Sequence, residues 1–70
     1  MELEVNPFVL ASLLEGRANY ARAPMRLAEG AAVTVTCASQ QVACVVCADS
    51  EGYDLGGLYP TLVRADTERR

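Results

Sequence analysis

The chain has 70 residues, of which 51% are hydrophobic, and its formal net charge is −3 at neutral pH. It contains no histidine, lysine or tryptophan, so the commonest general base, the commonest amine nucleophile and the best stacking side chain are missing. The composition therefore argues against an enzyme, and the acidic balance disfavours a general nucleic-acid binder, which gains most of its affinity from neutralising phosphates.

A chain of this length predicts one small domain with a thin stability margin. We expect that domain at residues 1–66, followed by a frayed tail at 67–70. No apolar run approaches the roughly 20 residues of a membrane span. The opening MELEV carries glutamates where a secretory signal carries basic residues, and an odd number of cysteines cannot form a closed disulfide set. We therefore expect a folded cytoplasmic protein with no membrane partner.

The first elements are a short strand and a helix. MELEV alternates polar and apolar residues, which predicts a strand. Asn6-Pro7 then has the form of a helix start, because Asn6 can accept from free first-turn amides and Pro7 lacks an amide that would be unpaired. The helix is predicted to run to about Glu15 and to stop at Gly16. Its predicted apolar face consists of Phe8, Leu10, Ala11 and Leu14.

The next segment is predicted to be a connection. Pro24 disfavours helical geometry at Ala23, so residues 17–24 are interpreted as an irregular or extended link. Residues 25–30 have the form of a short run closed by a turn at Glu29-Gly30.

The strongest local signal is AAVTVTCASQQVACVVCAD, whose β-branched residues predict a β-hairpin. A tip at Ser39-Gln40 would place an all-apolar set on one face, pairing Val33, Val35 and Cys37 with Val46, Cys44 and Val42. A four-residue loop with the same pairing is an equal alternative, since Ser-Gln is not a favoured two-residue turn.

One more strand is predicted in LYPTLVRA, with Pro60 at its start or on an edge. The fold class that follows is α+β. One N-terminal helix would pack on a small, strongly bent antiparallel sheet or partly open barrel of about four or five strands.

The acidic segment after the hairpin is the first candidate site. Asp49, Glu51 and Asp54 share a Gly-rich loop that Tyr53 and Tyr59 flank, and tyrosine is frequent at interface hot spots. The loop lacks the bidentate glutamate that ends a calcium loop. We interpret this loop as a protein-contact surface. The alternative interpretation is a solvated turn without a binding role.

The second candidate is a cluster of arginines with one tyrosine: Arg17, Tyr20, Arg22 and Arg26. Guanidinium groups bind phosphate and carboxylate in bidentate fashion. The alternative interpretation is a set of solvated arginines on a connecting segment.

The cysteines have CxxC spacing at Cys44 and Cys47, with Cys37 upstream. A structural zinc needs four ligands, and residues three apart on a strand point to opposite faces. We predict structural thiols with no metal and no cofactor, the alternative being a zinc shared across a dimer.

The segment NPFVLASLLEGRANYARAPMRLAEGAAVTV is similar to the opening of the ASCH/PUA-like superfamily. There, a helix ends in Gly, and an extended segment and a Leu-x-x-Gly turn lead into a barrel strand. The family's Gly precedes basic, aromatic and acidic groups that face a ligand cleft, and Gly16, Arg17 and Tyr20 match this pattern. The family's lysine, glutamate and arginine positions fall on Ala18, Ala21 and Ala23. The resemblance covers residues 5–36 and implies a small barrel from which the charges for RNA or nucleotide binding are missing.

Taken together, these features predict a small non-catalytic binding or regulatory protein that acts by protein–protein contact through an acidic surface. A phage- or mobile-element-type inhibitor of a host nucleic-acid-binding complex is an analogous case. The alternative function is a degenerate PUA/ASCH-like RNA or nucleotide-binding module. Association with a second copy of the chain stays open.

Overall fold

The computed structural model describes residues 1–48, 52–53 and 57–68, and the side chains of residues 1–48 and 58–66. In chain order the elements are β1 (Glu2–Glu4), α1 (Pro7–Leu14), β2 (Asn19–Tyr20), β3 (Ala32–Cys37), β4 (Gln40–Ala48), β5 (Gly52–Tyr53), β6 (Gly57–Leu58), β7 (Thr61–Arg64) and α2 (Ala65–Glu68). Neither described helix, at eight and four residues, has the length that crossing a membrane requires.

Five strands form one strongly curled half-barrel sheet in the order β1-β3-β4-β7-β2, and β5 pairs with β6 separately. The predicted α+β class is confirmed. The sheet is mixed, because β1 runs parallel to β3 while the other neighbours are antiparallel. Parallel neighbours need a crossover connection, and residues 5–31, which include α1, supply it.

The predicted ends of α1 are confirmed. The Asn6 side chain accepts a hydrogen bond from the Val9 amide at 2.9 Å, and Pro7 is the first helical residue. At the other end Gly16 has a φ of 85°, a left-handed conformation that only glycine adopts without steric cost. These local signals fix where the helix begins and ends.

The predicted buried face of α1 is wrong except at Leu10. The helix buries Leu10 and Leu13, whereas Phe8 is 84% exposed, Leu14 is 42% exposed and Ala11 faces solvent. Because PFVLASLL is apolar almost all round, its pattern does not distinguish a core face from a solvent face. The packing of the helix on the sheet makes that choice.

The β3–β4 hairpin has the predicted faces but a different register. Its turn is Ala38-Ser39, one residue earlier than predicted, so Val35 lies opposite Val42 and Val33 opposite Cys44. A shift of two in pairing leaves every side chain on its predicted face. Five of the six residues predicted for the apolar face are buried, namely Val33, Val35, Val42, Cys44 and Val46, and the sixth, Cys37, is half-buried.

The final strand confirms the LYPTLVRA prediction, since the buried Pro60 lies just before β7. Leu62 in β7 is fully buried and joins Leu10 and Leu13 of α1 in the core. A β-bulge falls between Val46 and Ala48 where β4 pairs with β7. The short helix α2 after β7 is an addition to the predicted elements.

Candidate functional site

A groove of about 340 Å³ lies where the two edges of the curled sheet approach each other. Strands β1 and β2 are the outermost strands of the sheet, and residues from or beside both of them line the groove. Among its lining side chains are Glu4, Val5, Val9, Tyr20, Arg22 and Tyr59. We call this site the tyrosine groove; it is the open seam of the half-barrel.

Backbone pairing fixes both sides of the tyrosine groove. On the β1 side the Val5 amide donates to the Thr36 carbonyl at 2.9 Å, so the chain stays on the sheet until α1 begins. On the β2 side Tyr20 lies opposite Thr61. The Ala23 amide donates to the Leu58 carbonyl at 2.8 Å, which holds the segment after β2 close to the chain that leads into Tyr59.

The chemistry of the tyrosine groove is mixed. Tyr20 is 60% exposed, whereas Tyr59 is half-buried. Val5 and Val9 add partly buried apolar surface that packs against the core. Exposed Glu4 and Arg22 place opposite charges on opposite sides of the groove. Aromatic rings, an arginine and a carboxylate around apolar surface form a set suited to recognition.

The structure brings together members of both predicted sites. Tyr20 and Arg22 come from the arginine cluster, and Tyr59 comes from the acidic-segment set. Arg17 instead forms an ion pair with Glu15, and Arg26 lies on the exposed connection before β3.

The structure describes no side chain for the rest of the acidic-segment set. Asp49, Glu51 and Asp54 lie outside the described residues. Tyr53 is placed in β5 by its backbone only.

Sequence reasoning missed the β1 side of the groove. Glu4 and Val5 received no role, although the alternation in MELEV already predicted that Glu4 would face away from the core. What the sequence did not reveal is that β1 and β2 are the two edges of one curled sheet.

Sequence reasoning also missed Arg64. Its Nη1 donates to the Leu14 carbonyl at 2.6 Å and its Nε donates to Asp66 Oδ1 at 2.6 Å. The guanidinium thus satisfies a carbonyl that the last turn of α1 leaves unpaired, and its charge is favourable at a helix C-terminus. Arg64 joins α1 to β7.

A second groove, of about 500 Å³, lies at this end of α1. Its lining includes Leu14, Val42, Ala43, Arg64, Ala65 and Asp66. We call it the helix-end groove. Its walls are mainly apolar, and the Arg64–Asp66 ion pair supplies its charges.

The three cysteines are free thiols at different depths. Cys44 is buried, while Cys37 and Cys47 are half-buried. Burial raises the pKa of the Cys44 thiol, and the nearby Arg64 charge partly opposes this rise. Within the part of the chain that the structure describes, no three His, Cys, Asp or Glu side chains converge as a metal site would require.

The fold and the groove define a small α+β half-barrel domain with a candidate binding groove at its open seam. Comparisons of the chain with family models, curated proteins and solved structures find no match.

Proposed function

We propose that the protein is a small non-catalytic binding protein that acts by protein–protein contact through the tyrosine groove. One observation carries the proposal: the curl of the sheet brings Tyr20, Tyr59 and Arg22 to one groove beside apolar surface. Tyrosine and arginine are enriched among residues that dominate interface energetics, and they act best where apolar neighbours exclude water. Of the two groove tyrosines, Tyr20, at 60% exposure, has more surface to lose to a partner than the half-buried Tyr59.

The acidic balance of the chain and the glutamates of β1 define the charge of the proposed partner. Glu2 and Glu4 are exposed on β1. The segment with Asp49, Glu51 and Asp54 precedes β6, which leads directly to Tyr59. With a net charge of −3, the protein would attract a basic surface, and complementary charge speeds and orients such encounters. A partner's nucleic-acid-binding surface has this character, and covering it would make the protein an inhibitor.

A second candidate function rests on the juxtaposition of Tyr20 and Arg22. An exposed ring can stack on an unpaired base while a guanidinium contacts phosphate, in keeping with the similarity to the PUA-like family. The acidic balance of the chain opposes this function, because backbone neutralisation supplies much of the affinity for nucleic acids.

The test of the contact proposal is quantitative capture of proteins from nuclease-treated lysate, followed by mass spectrometry. Tyr20→Ser should reduce the amount of the specific partner captured by at least about tenfold, which is the loss expected for removing a hot-spot side chain. Met25→Ser is the matched control, because Met25 is also an exposed large apolar residue, at 51%, and lies outside the groove. Equal capture by the two variants would contradict the proposal.

Charge variants separate the two candidate functions. Replacing Glu4, Asp49, Glu51 and Asp54 with their amides should weaken protein capture and flatten its salt dependence, since exposed charges are screened within about 10 Å at 0.1 M salt. Replacing Arg17, Arg22 and Arg26 with glutamine should weaken capture only through the loss of Arg22, because Arg17 and Arg26 lie outside the tyrosine groove. The same proteins are titrated into fluorescein-labelled single-stranded RNA. RNA binding that the arginine variant abolishes and the amide variant keeps would establish the second function instead.

A further inference from the structure

The β1 edge of the tyrosine groove carries backbone groups that face away from the sheet. The Met1 carbonyl and the Val5 amide both bond to β3, each at 2.9 Å. Successive residues of a strand direct their backbone groups to opposite sides, so alternate residues bond to the neighbouring strand. The amides and carbonyls of Glu2 and Glu4 therefore point to the open edge of the sheet, beside the groove that Glu4 lines.

The β2 edge across the groove differs from the β1 edge. There the Tyr20 amide donates to the side-chain oxygen Oδ1 of Asn19 at 2.8 Å. An amide that is already satisfied within its own chain is not available to an added strand. Of the two edges of the curled sheet, β1 is therefore the one that offers its backbone for further pairing.

We propose that the partner inserts an extended, basic peptide segment into the tyrosine groove, where the segment adds to β1 as a further strand. This inference rests on the proposed contact function and specifies what the groove binds. In this mode of recognition, main-chain hydrogen bonds supply affinity and alternate side chains supply specificity. Glu2 and Glu4 offer two amides and two carbonyls to such a segment.

The charges of β1 favour a basic segment over a second copy of the chain. Glu2 and Glu4 are exposed, whereas Leu3 between them is buried, so both carboxylates lie on the outer face of the strand. Side chains directly opposite each other on paired strands are about 5 Å apart at Cβ, where opposite charges stabilise the pair and like charges destabilise it. Lysine or arginine at alternate positions of the segment would meet the two glutamates. A second β1 would place glutamate against glutamate.

The groove provides the contacts for the residues between the basic positions. Those residues point to the other face of the added strand, where Val5 and Val9 supply partly buried apolar surface. We therefore expect apolar side chains to alternate with the basic ones. Strand β1 has only three residues, and short edges resist unspecific pairing. Contacts with the groove, including the rings of Tyr20 and Tyr59, must therefore select the segment.

A proline substitution in β1 tests the edge pairing. Glu4→Pro removes the amide that faces the open edge and leaves the bonds between β1 and β3 intact, which is how edge strands tolerate proline. Glu4→Gln is the matched control, because it removes the same charge and keeps the amide. The probe is a fluorescein-labelled peptide of about eight residues in which lysine and valine alternate, and binding is measured by fluorescence anisotropy.

The wild type should bind this peptide, and Glu4→Pro should bind it at least about tenfold more weakly than Glu4→Gln, since a hydrogen bond is lost and the edge is blocked. Circular dichroism checks that both variants are folded. A peptide with glutamate in place of lysine should not bind. Equal affinities of the two folded variants for the lysine peptide, or equal binding of the glutamate peptide, would overturn the proposal.

The peptide backbone gives a second measurement, which does not depend on how well the proline variant folds. Esters in place of amides remove N–H donors without adding bulk. One peptide carries esters at every lysine and another at every valine, so the two lack donors on opposite edges. The wild-type protein should bind one of them at least about tenfold more weakly than the other. Equal binding of the two, or no binding of the all-amide peptide, would overturn strand addition.

Capture from nuclease-treated lysate separates this inference from the proposed function. We expect Tyr20→Ser and Glu4→Pro both to lose the partner, with a smaller loss in Glu4→Gln. If Tyr20→Ser loses the partner while Glu4→Pro captures as much as Glu4→Gln, the groove contacts a partner without strand addition, and only the inference is wrong. If Tyr20→Ser captures as much partner as Met25→Ser, the contact function itself fails and the inference fails with it.

Discussion

Ala38 has a left-handed backbone conformation that is unfavourable for a residue with a Cβ atom. It is the only non-glycine residue in the described part of the chain with a positive φ, which is 55°. The turn that joins β3 to β4 requires this geometry, because tight hairpins match the twist of their strands only with left-handed residues in the turn. Glycine has no Cβ and meets that requirement without the steric cost that alanine bears.

Ala38→Gly is therefore predicted to stabilise the protein by about 1 kcal/mol, which for a domain of this size raises the melting temperature by about 4–8 °C. The measurement is urea unfolding followed by circular dichroism. Ser39→Gly is the matched control, since the neighbouring turn residue has no positive φ and gains only backbone freedom in the unfolded chain. Two variants of equal stability would contradict the described turn.

Arg64 shows how one side chain joins elements distant in sequence. From the end of β7, its side chain donates to the Leu14 carbonyl in the last turn of α1, fifty residues earlier in the chain. No local pattern identifies such a role, because an arginine near the end of a strand is as compatible with solvent as with a helix carbonyl. Tyr20 and Tyr59 could be singled out by residue type, whereas their common groove depends on the path of the sheet.

Two adjacent leucines near the end of α1 show which face of the helix packs on the sheet. Leu13 is 0% exposed and Leu14 is 42% exposed, although the two residues are adjacent and chemically identical. The pair therefore offers an internal comparison in which only the direction of the side chain differs.

We predict that Leu13→Ala costs about 3 kcal/mol of folding free energy, because it removes buried methyl groups and leaves a cavity. Leu14→Ala should cost less than about 1 kcal/mol, as expected for a substitution at a partly exposed position. Both are measured by urea unfolding followed by circular dichroism. A larger loss from Leu14→Ala would mean that α1 packs on the sheet by its other face.

The helix and the hairpin also show which parts of the fold the sequence can predict. The ends of α1 followed from Asn6, Pro7 and Gly16, because capping is local chemistry. Its face did not follow, since a helix that is apolar all round offers no contrast. Alternation predicted the faces of the β3–β4 hairpin, but its register depended on an Ala38-Ser39 turn that lacks the Asn-Gly, Asp-Gly or Gly signal of a tight hairpin.

In the whole molecule, the candidate binding groove results from incomplete closure of the sheet. A five-stranded sheet that curls without closing leaves two edge strands, and exposed edges attract further pairing unless they are short or covered. Here β1 has three residues and β2 has two, so the edges are short, and side chains line the open seam between them. The parallel β1–β3 pairing that creates this seam is a long-range feature, which the composition of MELEV did not predict.

The seam also explains why the two predicted residue sets meet only in part. Tyr20 and Arg22 reach the groove from β2, and Tyr59 reaches it from the chain before β7. Arg17 stays with Glu15 at the end of α1. The three arginines were grouped because they are close in sequence. In the folded sheet, only Arg22 lies in the groove between the two edge strands.

Site-specific photocrosslinking from the tyrosine groove tests whether this groove contacts a partner protein. A benzophenone amino acid replaces Tyr20 in one variant and Met25 in another, and each is irradiated in nuclease-treated lysate. We expect position 20 to crosslink one basic protein, excess wild-type chain to suppress this crosslink, and excess Tyr20→Ser chain to leave it unchanged. Identical crosslinks from positions 20 and 25 would contradict contact through the tyrosine groove. A crosslink from position 20 to nucleic acid alone, in lysate not treated with nuclease, would contradict it as well.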